Sequence, residues 1–188
     1  MRFPRATYLI CTFQHENEAK AFYEMLEARL KKFNLELSKD KSKIIRFGRF
    51  AKQHSADGKT DTFDFLGFTH INGKTLTGKY TVLHRTSKKK LKAKKQNVKE
   101  WLKENIHSKP SDTIERLNKK LVGHYRYYGI SGNYEGLLKF YRYIRTALYK
   151  TLTRRSQRTY LTWRRYRMLL EKHPIAKPRI YVNIWQAV

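Results

Sequence analysis

Residues 87–106 read SKKKLKAKKQNVKEWLKENI. Apolar residues return at Leu91, Val98, Leu102 and Ile106, the spacing of one helical face, and lysines crowd the remaining positions. Upstream the chain reads as one helix among short strands, and downstream as basic helices. The stretch therefore sets a boundary near residue 86. The expected fold class is α+β, with a small mixed α/β piece over 1–85 and a mostly α-helical piece over 86–188.

Downstream, Lys109-Pro110 should break the lysine-rich helix. Ser111 or Asp112 is expected to cap the next one, with Asp112 and Glu115 in the spacing of a capping box. Its inward face is Ile114, Leu117, Leu121 and Tyr125, and Gly129 is its stop. A further helix follows Gly132-Asn133 with Leu137, Tyr141, Ile144 and Leu148 inward. The last runs through QRTYLTWRRYRMLLEK and ends before Pro174. PIAKPRIYVNIW, with two prolines, is expected to lie extended over the helices.

Upstream, TYLICTF at 7–13 is β-branched and aromatic and predicts a buried strand. HENEAKAFYEMLEARLKKFN predicts a helix with Ala19, Phe22, Leu26, Leu30 and Phe33 on one face. Glu16 and Glu18 open it and Lys31 and Lys32 close it, as the helix dipole favours, and Asn34 suits a left-handed residue beyond its end. LELSKDKSKIIRFGRF reads as two short strands about a polar turn, and FDFLGF at 63–68 as an aromatic strand. Asn72-Gly73 predicts a tight turn, with TGKYTVLHR as the return strand.

In 188 residues, 42 Lys+Arg face 15 Asp+Glu, a formal charge of +27. Such self-repulsion is relieved by an anionic partner, nucleic acid or an anionic membrane surface. The sequence has no apolar run long enough to span a bilayer and no secretory leader pattern. A single cysteine, Cys11, excludes an intramolecular disulfide framework. A cytoplasmic location is expected.

Positive charge and aromatic rings interleave through GHYRYYGISGNYEGLLKFYRYIRTALYK and RRSQRTYLTWRRYR. From Arg116 onward the only carboxylate side chains are Glu135 and Glu171. Solvated faces ordinarily mix signs. The candidate RNA-contacting residues are Lys88, Lys89, Lys90, Lys92, Lys94 and Lys95, then Arg126, Arg142 and Arg145, then Arg154, Arg155, Arg158, Arg164, Arg165 and Arg167. Lysine and arginine bind phosphates, arginine often in bidentate fashion, and aromatic rings can stack on unpaired bases. Tyr125, Tyr141, Tyr143 and Trp163 sit at helical spacing among aliphatics, so they are expected in the core.

No catalytic constellation is evident. Asp57, Asp61 and Asp64 are close in sequence, but loop aspartates are ordinary turn residues. His15, His54, His70, His84, His107, His124 and His173 show no HxxxH or HxH pairing. No P-loop occurs, and one cysteine excludes a zinc finger.

The order of motifs resembles the C-terminal half of bacterial group II intron-encoded reverse transcriptase/maturases. AKAFYEMLEARLKKF at 19–33 resembles the palm helix after the catalytic turn, LELSKDKSKII the next palm motif, and FDFLGF the motif before the thumb. RLNKKLVGHYRYYGISGN, LLKFYRYIRTALYK and RRSQRTYLTW resemble the maturase-specific domain, domain X. The resemblance implies a partial palm at 1–85 and thumb plus domain X at 86–188.

In that family the segment matching RATYLICTF reads approximately YADDFVCTF. Thr7 and Tyr8 then stand where the two metal-binding aspartates belong. The family's polymerase needs Mg2+ on those aspartates, and Thr and Tyr cannot supply the charge. The resemblance implies no catalytic residue, metal or cofactor here, and reverse-transcriptase activity lost by truncation. What carries over is RNA binding, with group II intron RNA as partner, a DNA target at most indirectly, and help in intron folding and splicing. Two alternatives stay open: the C-terminal half of a split reverse transcriptase, completed by a separate N-terminal half, and a nonspecific basic RNA-binding relic.

Overall fold

A computed structural model describes residues 8–53, 58–75, 77–155 and 160–184. It is α+β, as expected, with five helices and one three-stranded antiparallel sheet among the described residues. The chain divides into two compact units, 1–46 and 47–188. The change of composition near residue 86 falls inside the second unit, between its last strand and the lysine-rich helix. No helix among the described residues is long and apolar enough to cross a membrane.

The first unit is built on α1, Glu16–Lys31. Glu16 lies 2.9 Å from Lys20 and 3.1 Å from Arg46, and hydrogen bonds from both hold its carboxyl below the usual range. Asn34 takes φ 55 just past the helix, the left-handed residue that its type predicts. No residue of α1 is buried. Phe22, Leu26 and Leu30 are only half-buried, and Phe13 lies 5.2 Å from Phe22.

Two expectations for this unit fail. Residues 8–13 form no strand, and Leu9 and Ile10 are 62% and 46% exposed. Residues 35–46 form no strands either, only a turn at 39–41. A strand is completed by the backbone of a neighbour, and no described segment of this unit supplies one. Thr7 lies outside the described residues, while Tyr8 is exposed.

The second unit opens with a meander of β1 (Thr62–Phe65), β2 (Phe68–Lys74) and β3 (Tyr80–Thr86). FDFLGF is thus a hairpin rather than one strand. Leu66 and Gly67 are its two-residue turn, at φ 47 and 82, the pair of positive values that a tight hairpin needs. A Cβ on Gly67 would also meet the Tyr128 hydroxyl at 2.7 Å. The predicted Asn72-Gly73 turn is likewise corrected: both residues pair within the sheet, opposite Val82 and Thr81. Asn72 is held there because its side-chain oxygen accepts from Gly48 N and the Tyr80 hydroxyl, so β2 runs on to Lys74, beyond which Thr75 N donates to Lys79 O and Gly78 N to Thr75 O.

Four helices follow: α2 (Lys88–Glu104), α3 (Pro110–Tyr128), α4 (Tyr134–Thr153) and α5 (Trp163–Lys172). α2 ends at Glu104, ahead of Lys109-Pro110 and with Ile106 already beyond it, and Pro110 instead starts α3. Neither Ser111 nor Asp112 caps it; Lys109 is the extended N-cap, as a residue before proline tends to be. The fourth predicted helix is shorter than expected, because Thr162 caps α5 by accepting from Arg165 N.

The core joins Val98 and Leu102 of α2, Ile114, Leu117, Leu121 and Tyr125 of α3, and Leu137, Phe140, Ile144 and Leu148 of α4. Tyr166 of α5 is fully buried and its hydroxyl donates to Arg145 O at 2.7 Å. The tail runs extended along α3, as its prolines predicted. Asn118 donates to Pro174 O and accepts from Ala176 N, and Tyr125 donates to Ala176 O. Tyr181 N and Val182 N then both donate to Gly129 O. A Cβ on Gly129 would stand 2.7 Å from Arg179 O, so only glycine permits that approach.

Candidate nucleic-acid interface

The lysines of α2 are distributed by helical geometry onto two sides. Lys90 and Lys94, four residues apart, face α3 with Asn97 and line a groove of about 500 Å3. Lys89, Lys92 and Lys95 line a second groove of about 530 Å3 that reaches Tyr143 of α4. Ala93 contributes to both, its small side chain leaving the two hollows open. Lys88, Lys89 and Lys90 occupy the first turn, which has no acidic residue. Cations there oppose the helix dipole, and a bound anion would relieve the conflict. The cap residue Ser87 does not help, since its hydroxyl donates to Asp64.

None of the six α2 lysines singled out by the sequence pairs with a carboxylate among the described residues. Among the described residues, the ion pairs of the second unit instead join Arg85 of β3 and Lys139 of α4 to Glu135, and Lys119 to Glu115. The nearby Glu100 is occupied by the amide of Gln96. Lys95 is half-buried with its ammonium 5.2 Å from the Tyr143 ring.

The arginines fall into separate places. Arg126 is exposed near the end of α3. Arg142 and Arg145 are exposed on α4, Arg145 lying 5.8 Å from the Tyr141 ring. Arg154 caps the C-terminal end of α4, where its charge suits the dipole. Arg155 is half-buried and donates to His107 O at 3.4 Å. Arg164, Arg165 and Arg167 are exposed on α5. Arg158 lies outside the described residues.

The aromatic residues divide as well. Tyr125 is buried as expected, and Tyr141 and Tyr143 are half-buried. Trp163 departs from expectation: it is 51% exposed, because it begins α5 and stacks face to face on Tyr149 at 3.8 Å.

Sequence reading missed the opposite wall of the first groove, formed by Lys119, Lys120, Gly123, His124, Tyr127 and Tyr128 of α3. The signal was present: GHYRYY at 123–128 places His124, Tyr127 and Tyr128 within one turn. The hairpin fixes these tyrosines. Tyr127 donates to Leu66 O at 2.9 Å, and Phe68 stacks on its ring at 6.0 Å. Lys120 lies 5.1 Å from the Trp101 ring.

Asp64 accepts from Thr69 and Ser87, so its carboxylate is engaged in holding β2 and the start of α2. Asp57 lies outside the described residues. Among those described, no group of three or more His, Cys, Asp or Glu is placed to hold a metal ion.

His124 is buried beneath the groove, and neither ring nitrogen has a hydrogen-bond partner. Burial, and secondly the Lys94 charge, push its pKa down from 6.5 to about 4. Burial lowers His70 and His84 in the same direction. As pH falls below 6.5 the unfolded chain therefore takes up protons that the folded one refuses. Stability present above pH 6.5 is lost progressively towards pH 4, by about 3 kcal/mol for His124. Urea midpoints measured from pH 7.5 down to 4 should fall, and fall less in His124→Phe; superimposable profiles would refute this.

Residues 91–169, from the first turn of α2 to α5, match the family model described as the group II intron, maturase-specific domain. No curated protein and no solved structure gives a significant match to the chain.

Proposed function

We propose that this chain, which carries a group II intron maturase-specific domain over residues 91–169, binds group II intron RNA and assists its folding for splicing. The observation that carries the proposal is the set of α2 lysines. Lys89, Lys90, Lys92, Lys94 and Lys95 line two grooves without partner carboxylates among the described residues, within the matched segment or one turn ahead of it. Where RNA helices approach one another, such cations neutralise phosphates and lower the repulsion that opposes a compact RNA fold. Chemistry belongs to the RNA in this reading. Thr7 and Tyr8 replace the polymerase aspartates, and reverse transcription is not expected of this chain.

The test is a binding titration of the full chain at several salt concentrations. One RNA is the intron from the chain's own locus, and the other an unrelated folded RNA of equal length. We expect the intron to bind at least about tenfold tighter, a difference near 1.4 kcal/mol. Both affinities should fall with salt, the slope on logarithmic axes being about −0.7 to −0.9 per phosphate contact. Equal affinities at every salt would reduce the protein to a nonspecific basic binder.

A second reading, half of a split reverse transcriptase, draws on the first unit. Apolar Leu9 and Ile10 are exposed and α1 has no buried residue, as in a surface that another chain completes. A separately produced N-terminal half of such a polymerase would then restore primer extension when mixed with this chain.

A further inference from the structure

Trp163 opens α5 with about half of its surface in solvent, 51% exposed. Its neighbours show which half. One face of the indole lies on the Tyr149 ring, with centroids 3.8 Å apart and planes 13° from parallel. Tyr166 meets it edge-on at 5.6 Å. Both supports are fixed. Tyr149 is 8% exposed and its hydroxyl donates to Leu161 O, while Tyr166 is fully buried with its hydroxyl on Arg145 O. With the inner face covered, the open surface is the outer face and rim of the indole. Aromatic pairs left to themselves favour offset or edge-on contact over face-to-face stacking, so the packing beneath holds this arrangement. A rigid flat ring is thereby presented to solvent. Charge lies on the same side of α5. Arg164 follows the tryptophan directly, and Arg167, one turn on, projects within about 40° of it around the helix axis. Both are exposed. The first turn of α5 holds no acidic residue, and no ion pair among the described residues involves either arginine.

We propose that Trp163 is a stacking platform for one unpaired base of the bound RNA, with Arg164 and Arg167 on the flanking phosphates. The assignment rests on the RNA-binding reading above and deepens it, since it adds a single-stranded segment to what the protein recognises. A lone exposed tryptophan is ordinary on a protein surface. This one is stacked from below, open above and flanked by unpaired arginines, the combination that single-stranded nucleic acid requires. Every base has a flat π-face that can lie on the outer indole face, whatever its sequence. The guanidinium fork matches phosphate oxygens in bidentate fashion. A base inside a duplex has both faces covered by its neighbours and cannot reach the ring. An acidic protein would engage the arginines without covering the indole. Tyr149, Trp163, Arg164 and Arg167 all lie within the matched segment 91–169.

The experiment uses the full chain and two RNA hairpins that share one stem and a three-nucleotide 3′ tail. The tail is of adenosines in one and of abasic residues in the other. The phosphates are equal in number, so charge alone predicts equal binding. Stacking of one base should make the adenosine tail bind roughly 5- to 150-fold tighter. Trp163→Leu keeps apolar bulk but offers no ring, and the preference should vanish. Trp163→Phe keeps a ring, and most of the preference should survive. A merely structural tryptophan would leave the ratio of the two affinities unchanged in both variants. On the unaltered protein, the indole N–H resonance of Trp163, identified by its absence from Trp163→Phe, should shift with the adenosine tail and hold with the abasic one. This measurement decides the matter if Trp163→Leu does not fold. Equal binding of the two hairpins, an unmoved indole resonance, or a preference that survives in folded Trp163→Leu or is lost equally in folded Trp163→Phe would overturn the platform and leave RNA binding standing. Failure to bind either hairpin would overturn RNA binding itself.

Discussion

Replacing Lys89, Lys90, Lys92 and Lys94 together by glutamine should weaken RNA binding about a thousandfold near physiological salt and reduce the salt slope by three to four units. The size follows from counterion release, in which each lost phosphate contact removes nearly one unit of slope. The fold should not suffer. All four side chains are exposed, glutamine is a good helix former, and removing Lys89 and Lys90 from the first turn relieves repulsion from the helix dipole. Thermal stability is therefore expected to hold or rise while affinity collapses. A loss below tenfold with an unchanged slope would mean that α2 does not face the RNA.

Asn133→Ala should be the most damaging single change to stability, lowering it by about 3–5 kcal/mol in urea titration. Asn133 is 1% exposed. Its side-chain oxygen accepts from Thr86 N at 2.9 Å, and its amide donates to Thr86 Oγ1 and to Tyr128 O, each at 2.8 Å. One side chain thereby joins the last strand, the end of α3 and the start of α4. Gly136 keeps room for it, since a Cβ there would stand 2.7 Å from the amide oxygen. Alanine leaves the buried Thr86 N–H without that acceptor. Asn133→Asp tests the same point differently: it keeps the acceptor but sets a carboxylate against Tyr128 O. A loss under 1 kcal/mol in both variants would show that the junction is held by apolar packing instead.

The helical half was legible because its signals are local. Leu117, Leu121, Ile144 and Leu148 repeat at the period of a helix, and each is buried. Phe140, Tyr149 and Tyr166 were missed since aromatic rings occur on both faces of these helices, and only packing says which ring turns inward. The strands were harder. Leu66 at a positive φ is a choice that its residue type does not advertise, and Asn72-Gly73 stays in the sheet because of distant hydrogen bonds from Gly48 and Tyr80. Residues 8–13 carry a strand composition, but composition cannot supply the neighbour that makes a strand. For the site, charge pointed to α2 and said nothing of its far wall, where the hairpin holds Tyr127 against α3 through Leu66 and Phe68.

The pairing of residues 174–184 with α3 also orders events in time. Asn118 waits for Pro174 and Ala176, 56 and 58 residues later, and Gly129 for Tyr181 and Val182. During synthesis, at about 5–20 residues per second, α2, α3 and α4 emerge with a strip of α3 still uncovered. The strip of α3 is thus covered only after α4 and α5 have been made, so its packing is completed well after the helix itself can form.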